Sequence, residues 1–260
     1  MINFDLLDKD LHLFKDEFKS RVVESVVIDN FLDEESAFSV YSDFPDPVVS
    51  NIKKSRDYFF AKNKYERSDF GQCGESLSKL RNELLGTRFK EFLISLTGED
   101  VFIDPNFHGG GIHQGGKNSF LNMHADFNYH PLNNNWFRNL NILIYFNPEW
   151  QECYGGELKI INSKTGAQDK ISPIFNRCVI MFTRDYTLHG YDKINFPEGT
   201  YRRSIAAYAY SLVDSNRDSV RSTVWYPDDG GIFKKALGKN WPKLVAAKSR
   251  FFSSGTGKNK

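Results

Sequence analysis

The sequence predicts a mainly β fold with flanking α-helices. From about Val101 to Leu212, short runs of β-branched and aromatic residues are separated by Gly, Asn, Asp and Pro, and this density of short strands is typical of a sandwich or barrel. The first hundred residues have a helical and mixed pattern instead. With 260 residues, of which 40% are hydrophobic and 15% aromatic, the chain can bury a sizeable core. We therefore expect one large domain.

The predicted elements of the flank begin at residue 21. The run RVVESVVIDNF, residues 21–31, is typical of a strand, and Asp33 with the two glutamates after it indicates the start of a short helix. A long helical pattern then extends from about Glu75 to Leu96. The pair Thr97-Gly98 is a typical helix end, because glycine readily adopts the left-handed conformation found there.

The predicted organisation has four parts within this domain. Residues 1–100 form the flank, 101–215 the β core and 216–250 a C-terminal extension, where FKKALGKNWPKLVAAKSRFF predicts an outer helix. The tail, residues 251–260, ends in SSGTGKNK and is expected to be disordered. We find no internal repeat and no low-complexity linker that would divide the chain.

Composition and charge argue against several classes of function. Lys and Arg number 34 against 33 Asp and Glu, a net charge near +1, so no overall field attracts nucleic acid or an anionic membrane. The first twenty residues lack the pattern of a secretory signal, and no stretch is apolar enough to span a bilayer. The spacings of Cys73, Cys153 and Cys178 predict neither a disulfide framework nor a zinc site. We expect a cytoplasmic protein.

A candidate metal site begins in the segment FLNMHADFNYH. On an extended strand, residues two apart point to the same face, so His124 and Asp126 project side by side. His189, which follows the apolar run CVIMFT, is the best candidate for a third ligand. Two histidines and one carboxylate on one side of a metal form the facial triad of non-haem Fe(II) oxygenases. The alternative is an ordinary surface or turn pair at His124 and Asp126.

A candidate anion site follows in EGTYRRSIAAYAYSL. Arg202 and Ser204 share one strand face, where a guanidinium and a hydroxyl fit a carboxylate, while Arg203 points to the opposite face. Tyr145, in the apolar strand NLNILIYFN, can add its hydroxyl to the same carboxylate. The alternatives are a solvated arginine pair at 202–203 and an ordinary core tyrosine at 145.

Other polar residues near the pair at 124 and 126 are harder to assign. We include Asn128 with the cofactor-binding residues, because it flanks that pair at a period of two and can orient ligands or substrate. We expect His113 and His130 to lie beside the ligands or on the substrate side, without binding the metal. His12 and His108 are expected to be structural.

Six segments together resemble a known family, the prolyl-4-hydroxylase-like branch of the 2-oxoglutarate/Fe(II) oxygenases. The resemblance covers roughly residues 108–211 and implies a double-stranded β-helix, or jelly-roll, core. Single pieces are weak signals, but six in this order with suitable gaps are a strong one. The segments, in chain order, are GGIHQGGKNSFLNMHADFNYHP, RNLNILIYFNPEW, YGGELKI, FNRCVIMF, LHGYD and GTYRRSIAAYAY.

The resemblance implies a role for each candidate residue. The iron ligands would be His124, Asp126 and His189, and Arg202 of the Arg-x-Ser motif would bind the distal carboxylate of 2-oxoglutarate. Ser204 and Tyr145 would assist Arg202. Several prolyl hydroxylases have lysine where this chain has Arg202. The arginine leaves the chemistry intact, but this departure puts a prolyl substrate in doubt. The aspartate of the triad favours hydroxylation, since related halogenases have a small residue there.

The implied reaction is hydroxylation of an unactivated C–H bond with release of succinate and carbon dioxide. It requires Fe(II), 2-oxoglutarate and dioxygen, with ascorbate as a further candidate. The expected substrate is a prolyl or other residue of a protein or peptide, contacted by residues 51–72 and 129–137. The alternatives are a free small molecule as substrate, a catalytically silent jelly-roll binding protein, and a cupin-like metal enzyme or zinc hydrolase. Oligomeric state has no signal in the sequence.

Overall fold

The strands form one antiparallel sheet. The computed structural model describes residues 1–48, 59–213, 220–227, 231 and 234–241, and within them eleven strands are hydrogen-bonded to one another. They are β1 (Ser25–Asp29), β2 (Ala61–Arg67), β3 (Phe102–Ile103), β4 (Gly111–Ala125), β5 (Trp136–Tyr145), β6 (Leu158–Asn162), β7 (Gln168–Ile171), β8 (Arg177–Phe182), β9 (Thr187–Tyr191), β10 (Arg202–Leu212) and β11 (Val224–Trp225).

The order of the strands is β1-β8-β5-β10-β4-β9-β6-β7, with β2 and β11 also paired to β4 and β3 paired to β10. Strand β4 is 15 residues long, so different stretches of it pair with β2, β9, β10 and β11. A sheet in which sequence neighbours are often not spatial neighbours is typical of a jelly roll. The predicted fold class, mainly β with a jelly-roll core and flanking helices, is confirmed.

The helices belong to the N-terminal part of the chain. They are α1 (Phe4–Lys9), α2 (Leu11–Ser20), α3 (Glu34–Ser42), α4 (Glu75–Leu84) and α5 (Thr87–Thr97). Short 3₁₀ turns cover Phe70–Gln72 and Glu152–Tyr154, and residues 234–241 are also helical. The predicted start of α3 is observed, because the Asp33 side chain accepts a hydrogen bond from the Ser36 amide at 2.8 Å.

The helical pattern from Glu75 to Leu96 is divided by the structure into two helices. The break lies at Gly86, whose backbone is extended with φ −73° and ψ 155° and which precedes α5. A glycine inside a helix favours such a break, because it loses more conformational freedom than other residues when it becomes helical. The predicted end of the second helix is observed at Gly98, which has φ 77° and caps the helix.

The core lies between the helices and the outer face of the sheet. Leu140, Ile142 and Ile144 of β5 pack in one cluster with the apolar faces of the helices, as their period of two predicts. The residues between them, Asn141 and Tyr145 among them, face the opposite side, where the sheet encloses a cavity. The helices therefore support one side of the sheet and leave its inner side for polar residues.

Some sequence predictions concern residues that the structure does not describe. The tail 251–260 and residues 51–58 of one proposed substrate segment lie outside the described residues, and the predicted outer helix is described only at 234–241. The four domain bounds stay predictions. In the described parts of the chain, no helix combines the length and the hydropathy that crossing a bilayer would require.

Candidate metal centre and anion pocket

Two neighbouring strands bring the predicted metal ligands together. His124 near the end of β4 pairs directly with His189 of β9, and Asp126 follows β4 by one residue. The Nε2 atoms of the two histidines lie 3.5 Å and 3.7 Å from the two carboxylate oxygens of Asp126. All three side chains are buried, and their candidate ligand atoms lie within 4.8 Å of one another. We call these three residues the metal end of the cavity.

The ring of His124 is oriented by the backbone. Its Nδ1 lies 2.9 Å from the carbonyl oxygen of Asn122, a distance at which an Nδ1–H donates to that oxygen. That tautomer leaves a lone pair on Nε2, the atom that faces Asp126. His189 has a different contact, because its Nε2 lies 3.3 Å from the side-chain Nδ2 of Asn141. The lone pair of Nε2 therefore lies on the cavity side in both rings, and on His189 it accepts from the Asn141 amide, which a bound metal would displace.

The charges at the metal end suit a divalent cation. Burial, followed by the neighbouring His124, lowers the pKa of His189 to about 3, so this ring is neutral near pH 7. Burial by itself raises the pKa of Asp126, but the charge of Arg138 and the two histidines hold that pKa far below its usual range. An ionised carboxylate and neutral imidazoles are the ligands expected for Fe(II), so the residues present fit this metal.

Arg138 is a residue of this site that the sequence analysis missed. Its Nη1 lies 3.0 Å from Oδ2 of Asp126, and its guanidinium is stacked between the rings of Phe127 and Tyr208, at 3.5 Å and 3.6 Å. Nη1 is too poorly aligned for a hydrogen bond with Asp126, and the contact is a charge pair. Two aromatic faces hold the guanidinium in place, and its charge holds Oδ2 of Asp126, the oxygen that also faces His189.

The anion end of the cavity, Arg202 with Ser204 and Tyr145, lies on the same inner face. Arg202 Nε donates to the carbonyl of Gly156 at 2.7 Å, and its Nη2 lies 3.4 Å from the Tyr145 hydroxyl. Ser204 pairs directly with Tyr145 in the sheet, and all three side chains are buried. Gly156 has φ +85°, and a Cβ there would come within 3.1 Å of Arg202 Cδ, so the close approach needs glycine.

Arg203 occupies the other face, as its position in β10 predicts. Its Nε donates to Oε1 of Gln114 at 3.2 Å, and its guanidinium lies 4.8 Å from the ring of Tyr41. It does not line the cavity. The choice between the two adjacent arginines is therefore decided by the strand, because only Arg202 faces the metal end.

Other predicted residues have different surroundings. Asn128 does not line the cavity, and its Oδ1 accepts a hydrogen bond from the backbone amide of Arg221 at 2.7 Å. His130 is buried with its Nε2 3.3 Å from Asp104, away from the cavity, while His113 lines the cavity. His108 is exposed.

The two proposed substrate segments also differ. None of the residues 129–137 lines the cavity, whereas Lys64 of the segment 51–72 does.

Comparisons with known proteins agree with this arrangement. The model of the 2OG-Fe(II) oxygenase superfamily matches residues 110–210, which contain the residues of both ends and agree with the predicted superfamily. No curated protein sequence matches the chain.

Solved structures share the fold. A prolyl 4-hydroxylase from Phytophthora capsici has 15% identity and a TM-score of 0.57, over 81% of this chain and 66%, just under two thirds, of that one. A prolyl hydroxylase from Trichoplax adhaerens, in complex with a hypoxia inducible factor peptide, has 16% identity and a TM-score of 0.53, over 81% and 94%. HygX from Streptomyces hygroscopicus, with nickel, 2-oxoglutarate and hygromycin B bound, has 10% identity and a TM-score of 0.50, over 79% and 87%. At these identities the likeness shows the fold alone.

Proposed function

We propose that this chain, a member of the 2OG-Fe(II) oxygenase superfamily, hydroxylates an unactivated C–H bond of a prolyl or other residue in a protein or peptide, with release of succinate and carbon dioxide. One observation carries the proposal. Three side chains suited to Fe(II) line the same cavity as the buried guanidinium of Arg202, which has no carboxylate partner among the described residues. A zinc hydrolase needs the first group but has no use for the second.

The metal would be held by Nε2 of His124, Nε2 of His189 and a carboxylate oxygen of Asp126. Bound there with 2-oxoglutarate, Fe(II) supplies the activation of dioxygen that C–H hydroxylation requires. The protein orients the ligands: the Asn122 carbonyl fixes the His124 ring, and Arg138 holds the second oxygen of Asp126. Both contacts restrict the movement of the side chains that would hold the metal.

The anion end would bind the distal carboxylate of 2-oxoglutarate. The Arg202 guanidinium supplies charge and a planar set of donors, and the Ser204 and Tyr145 hydroxyls supply further donors. Because the Arg202 side chain is already held by the Gly156 carbonyl, little conformational freedom is lost on binding. A co-substrate fixed at this end can turn only its other carboxylate and its keto oxygen toward the metal end.

Two of the fold neighbours have bound ligands of two different classes. The Trichoplax enzyme is in complex with a peptide, and HygX binds the small molecule hygromycin B. A free small molecule is therefore the second candidate for the substrate of this chain. A catalytically silent binding protein is less well supported, because binding alone does not require the residues of both ends.

The test is formation of succinate from 2-oxoglutarate by the purified full chain. With Fe(II) present we expect succinate above background, which zinc in place of iron does not support and which His124→Ala reduces to background. His12→Ala is the matched control, because His12 is exposed and lies outside the cavity. Equal succinate formation by wild type and His124→Ala, or none under any condition with Fe(II), contradicts the proposal.

A further inference from the structure

A lysine outside the matched family segment faces the same cavity. Lys64 of β2 pairs with Gly115 of β4, and Arg202 of β10 pairs with the same glycine from the other side. Directly paired residues of antiparallel strands share a face, so Lys64 and Arg202 both project inward across a position without a side chain. Lys64 is 13% exposed and lines the cavity. Its backbone lies about 10 Å from that of Arg202, two interstrand spacings.

The known partner of this lysine leaves most of its donors available. Lys64 Nζ lies 2.7 Å from Oε1 of Glu66, whose side chain is 42% exposed and therefore partly solvated. An ammonium group has three donor hydrogens, and one contact with Glu66 leaves two. An ion pair with one solvated member is weak, so it does not prevent Lys64 from binding a second anion.

The charges around the cavity favour an additional anion. Lys64, Arg138 and Arg202 are the cationic lining residues within the described parts of the chain. Asp126 is the anionic one, and Glu66 pairs with Lys64 from outside the lining, which leaves a surplus of one positive charge. A divalent metal and a dianionic 2-oxoglutarate cancel each other and leave that surplus unchanged. A partly buried site with uncompensated positive charge attracts an anionic ligand.

Arg202 and Lys64 have different surroundings, which indicates that they bind different ligands. Arg202 has two hydroxyls beside it, from Tyr145 and Ser204, so one carboxylate of 2-oxoglutarate finds a complete set of donors there. Lys64 lies on a strand outside the family segment 110–210, in the part of the chain where substrate choice is expected to vary. We infer that Lys64 binds a carboxylate of the primary substrate. This inference rests on the proposed function of the same site.

His113 narrows the substrate class further. It lies beside the same strand, paired with Glu66 on one side and Ser204 on the other. Burial, followed by the charge of Lys64, lowers its pKa to about 3, so near pH 7 its ring is neutral, although a hydrogen bond to the Gly109 backbone acts in the opposite direction. Its buried Nε2 has no hydrogen-bond partner among the described residues, and it can accept one. A carboxylate at Lys64 with an N–H group beside it satisfies both residues, which is the chemistry of an α-amino acid carboxylate.

An α-amino acid carboxylate occurs in two kinds of ligand, a free amino acid and the carboxyl-terminal residue of a peptide. Four probes separate them: L-alanine, L-alaninamide, N-acetyl-L-alanine and N-acetyl-L-alaninamide. The full chain is loaded with Ni(II) and 2-oxoglutarate, a combination present in the HygX structure, and each probe is titrated by calorimetry. We expect a carboxylate to bind at least about tenfold more tightly than its matched amide, because a charge-assisted hydrogen bond is lost in the amide.

The variants Lys64→Met, Lys64→Arg and Lys62→Met show whether Lys64 is responsible. Lys62 is exposed on the same strand and serves as the control. We expect Lys64→Met to weaken carboxylate binding about tenfold or more, Lys64→Arg to retain most of it, and Lys62→Met to retain all of it. If L-alanine binds more tightly than N-acetyl-L-alanine, the substrate is a free amino acid. If N-acetyl-L-alanine binds more tightly, the substrate is the carboxyl-terminal residue of a peptide.

Two results overturn the inference. One is equal binding, or no binding, of carboxylates and amides by a wild-type protein that does bind 2-oxoglutarate. The other is a loss of 2-oxoglutarate affinity in Lys64→Met as large as the loss of carboxylate affinity, which would assign Lys64 to the co-substrate. If the Ni(II)-loaded wild type fails to bind 2-oxoglutarate at all, the proposed function itself is wrong, and that failure is recorded before any probe is added.

Discussion

The metal end and the anion end of the cavity differ in how their charges are balanced. At the metal end, the Asp126 carboxylate has the Arg138 guanidinium 3.0 Å away, and the pair is neutral overall. At the anion end, Arg202 contacts a carbonyl and a hydroxyl, and the described part of the chain contains no carboxylate within ion-pair distance of it. Both arginines are buried, but only the charge of Arg138 is compensated by the protein.

This difference separates a structural charge from a functional one. A buried cation without a carboxylate partner is costly for stability, and such residues are found where a ligand supplies the missing charge. Arg138 needs no ligand, because Asp126 and two aromatic rings surround it. Substitutions at the anion end should therefore change the affinity for 2-oxoglutarate, and substitutions at the metal end should change the affinity for Fe(II).

The largest effect among the variants that test this difference is expected for Arg202→Met. The variant keeps much of the side-chain volume and loses the charge, so we expect KM for 2-oxoglutarate to rise about a hundredfold, the size of two lost charge-assisted hydrogen bonds. Fe(II) affinity should be nearly unchanged. Steady-state succinate formation and metal titration measure the two quantities.

Arg203→Met is the matched control for that variant, because the neighbouring arginine faces away from the cavity toward Tyr41. Its KM for 2-oxoglutarate should stay near that of the wild type. If Arg202→Met lowers Fe(II) affinity as strongly as 2-oxoglutarate affinity, the two ends do not bind their ligands independently.

Sequence patterns predicted much of the two ends because their residues follow the period of two of a strand. His124 and Asp126 form one such pair and Arg202 and Ser204 another, and in each case the structure has both members facing the cavity. Strand alternation is a local property, so it is visible without a fold. The pairing of His189 with His124 depends on strands far apart in the sequence. Its position after an apolar strand therefore identified His189 only as the best candidate, and the family resemblance supported that choice.

Arg138 was missed because the alternation fails at its position. Counted back from Ile142 and Leu140, Arg138 belongs to the outer face of β5. The pairing with β10 is shifted between Ala209 and Tyr210, where two consecutive residues of β10 pair with Leu140 and Arg138. The extra residue in β5 is a β-bulge, which turns Arg138 inward. Asn128 lies three residues beyond the end of β4 and does not line the cavity, and its side chain accepts a hydrogen bond from the Arg221 amide. Its assignment to the co-substrate stays a prediction.

A smaller effect is expected for Arg138→Gln, at the metal end. Loss of a residue that holds a metal ligand typically costs ten- to a hundredfold in metal affinity, and we expect about tenfold weaker Fe(II) binding. KM for 2-oxoglutarate, measured with saturating Fe(II), should change less than in Arg202→Met. Competition with a chromogenic chelator gives the metal affinity.

The control for that variant is Arg177→Gln, which removes an arginine that pairs with Asp29 and does not line the cavity. Fe(II) affinity in this control should equal that of the wild type. Wild-type affinity in Arg138→Gln as well would mean that Asp126 keeps its charge and orientation without the arginine.

The smallest effect concerns His113, which lines the cavity beside Ser204 of the anion end. Its pKa is lowered by burial from 6.5 to about 3 in the folded protein, so between these values the unfolded chain binds a proton that the folded chain does not. The free energy of unfolding therefore falls as pH falls through this window, and one such group contributes a slope of up to about 1.4 kcal/mol per pH unit.

The variant His113→Gln should reduce the slope of unfolding free energy against pH by roughly 1 kcal/mol per unit between about pH 6 and 4, measured by urea unfolding. The control His12→Gln, at an exposed histidine, should leave the slope unchanged. An unchanged slope in His113→Gln would mean that His113 is protonated in the folded state. The cavity lining would then contain a fourth positive charge, where a neutral hydrogen-bond acceptor is expected.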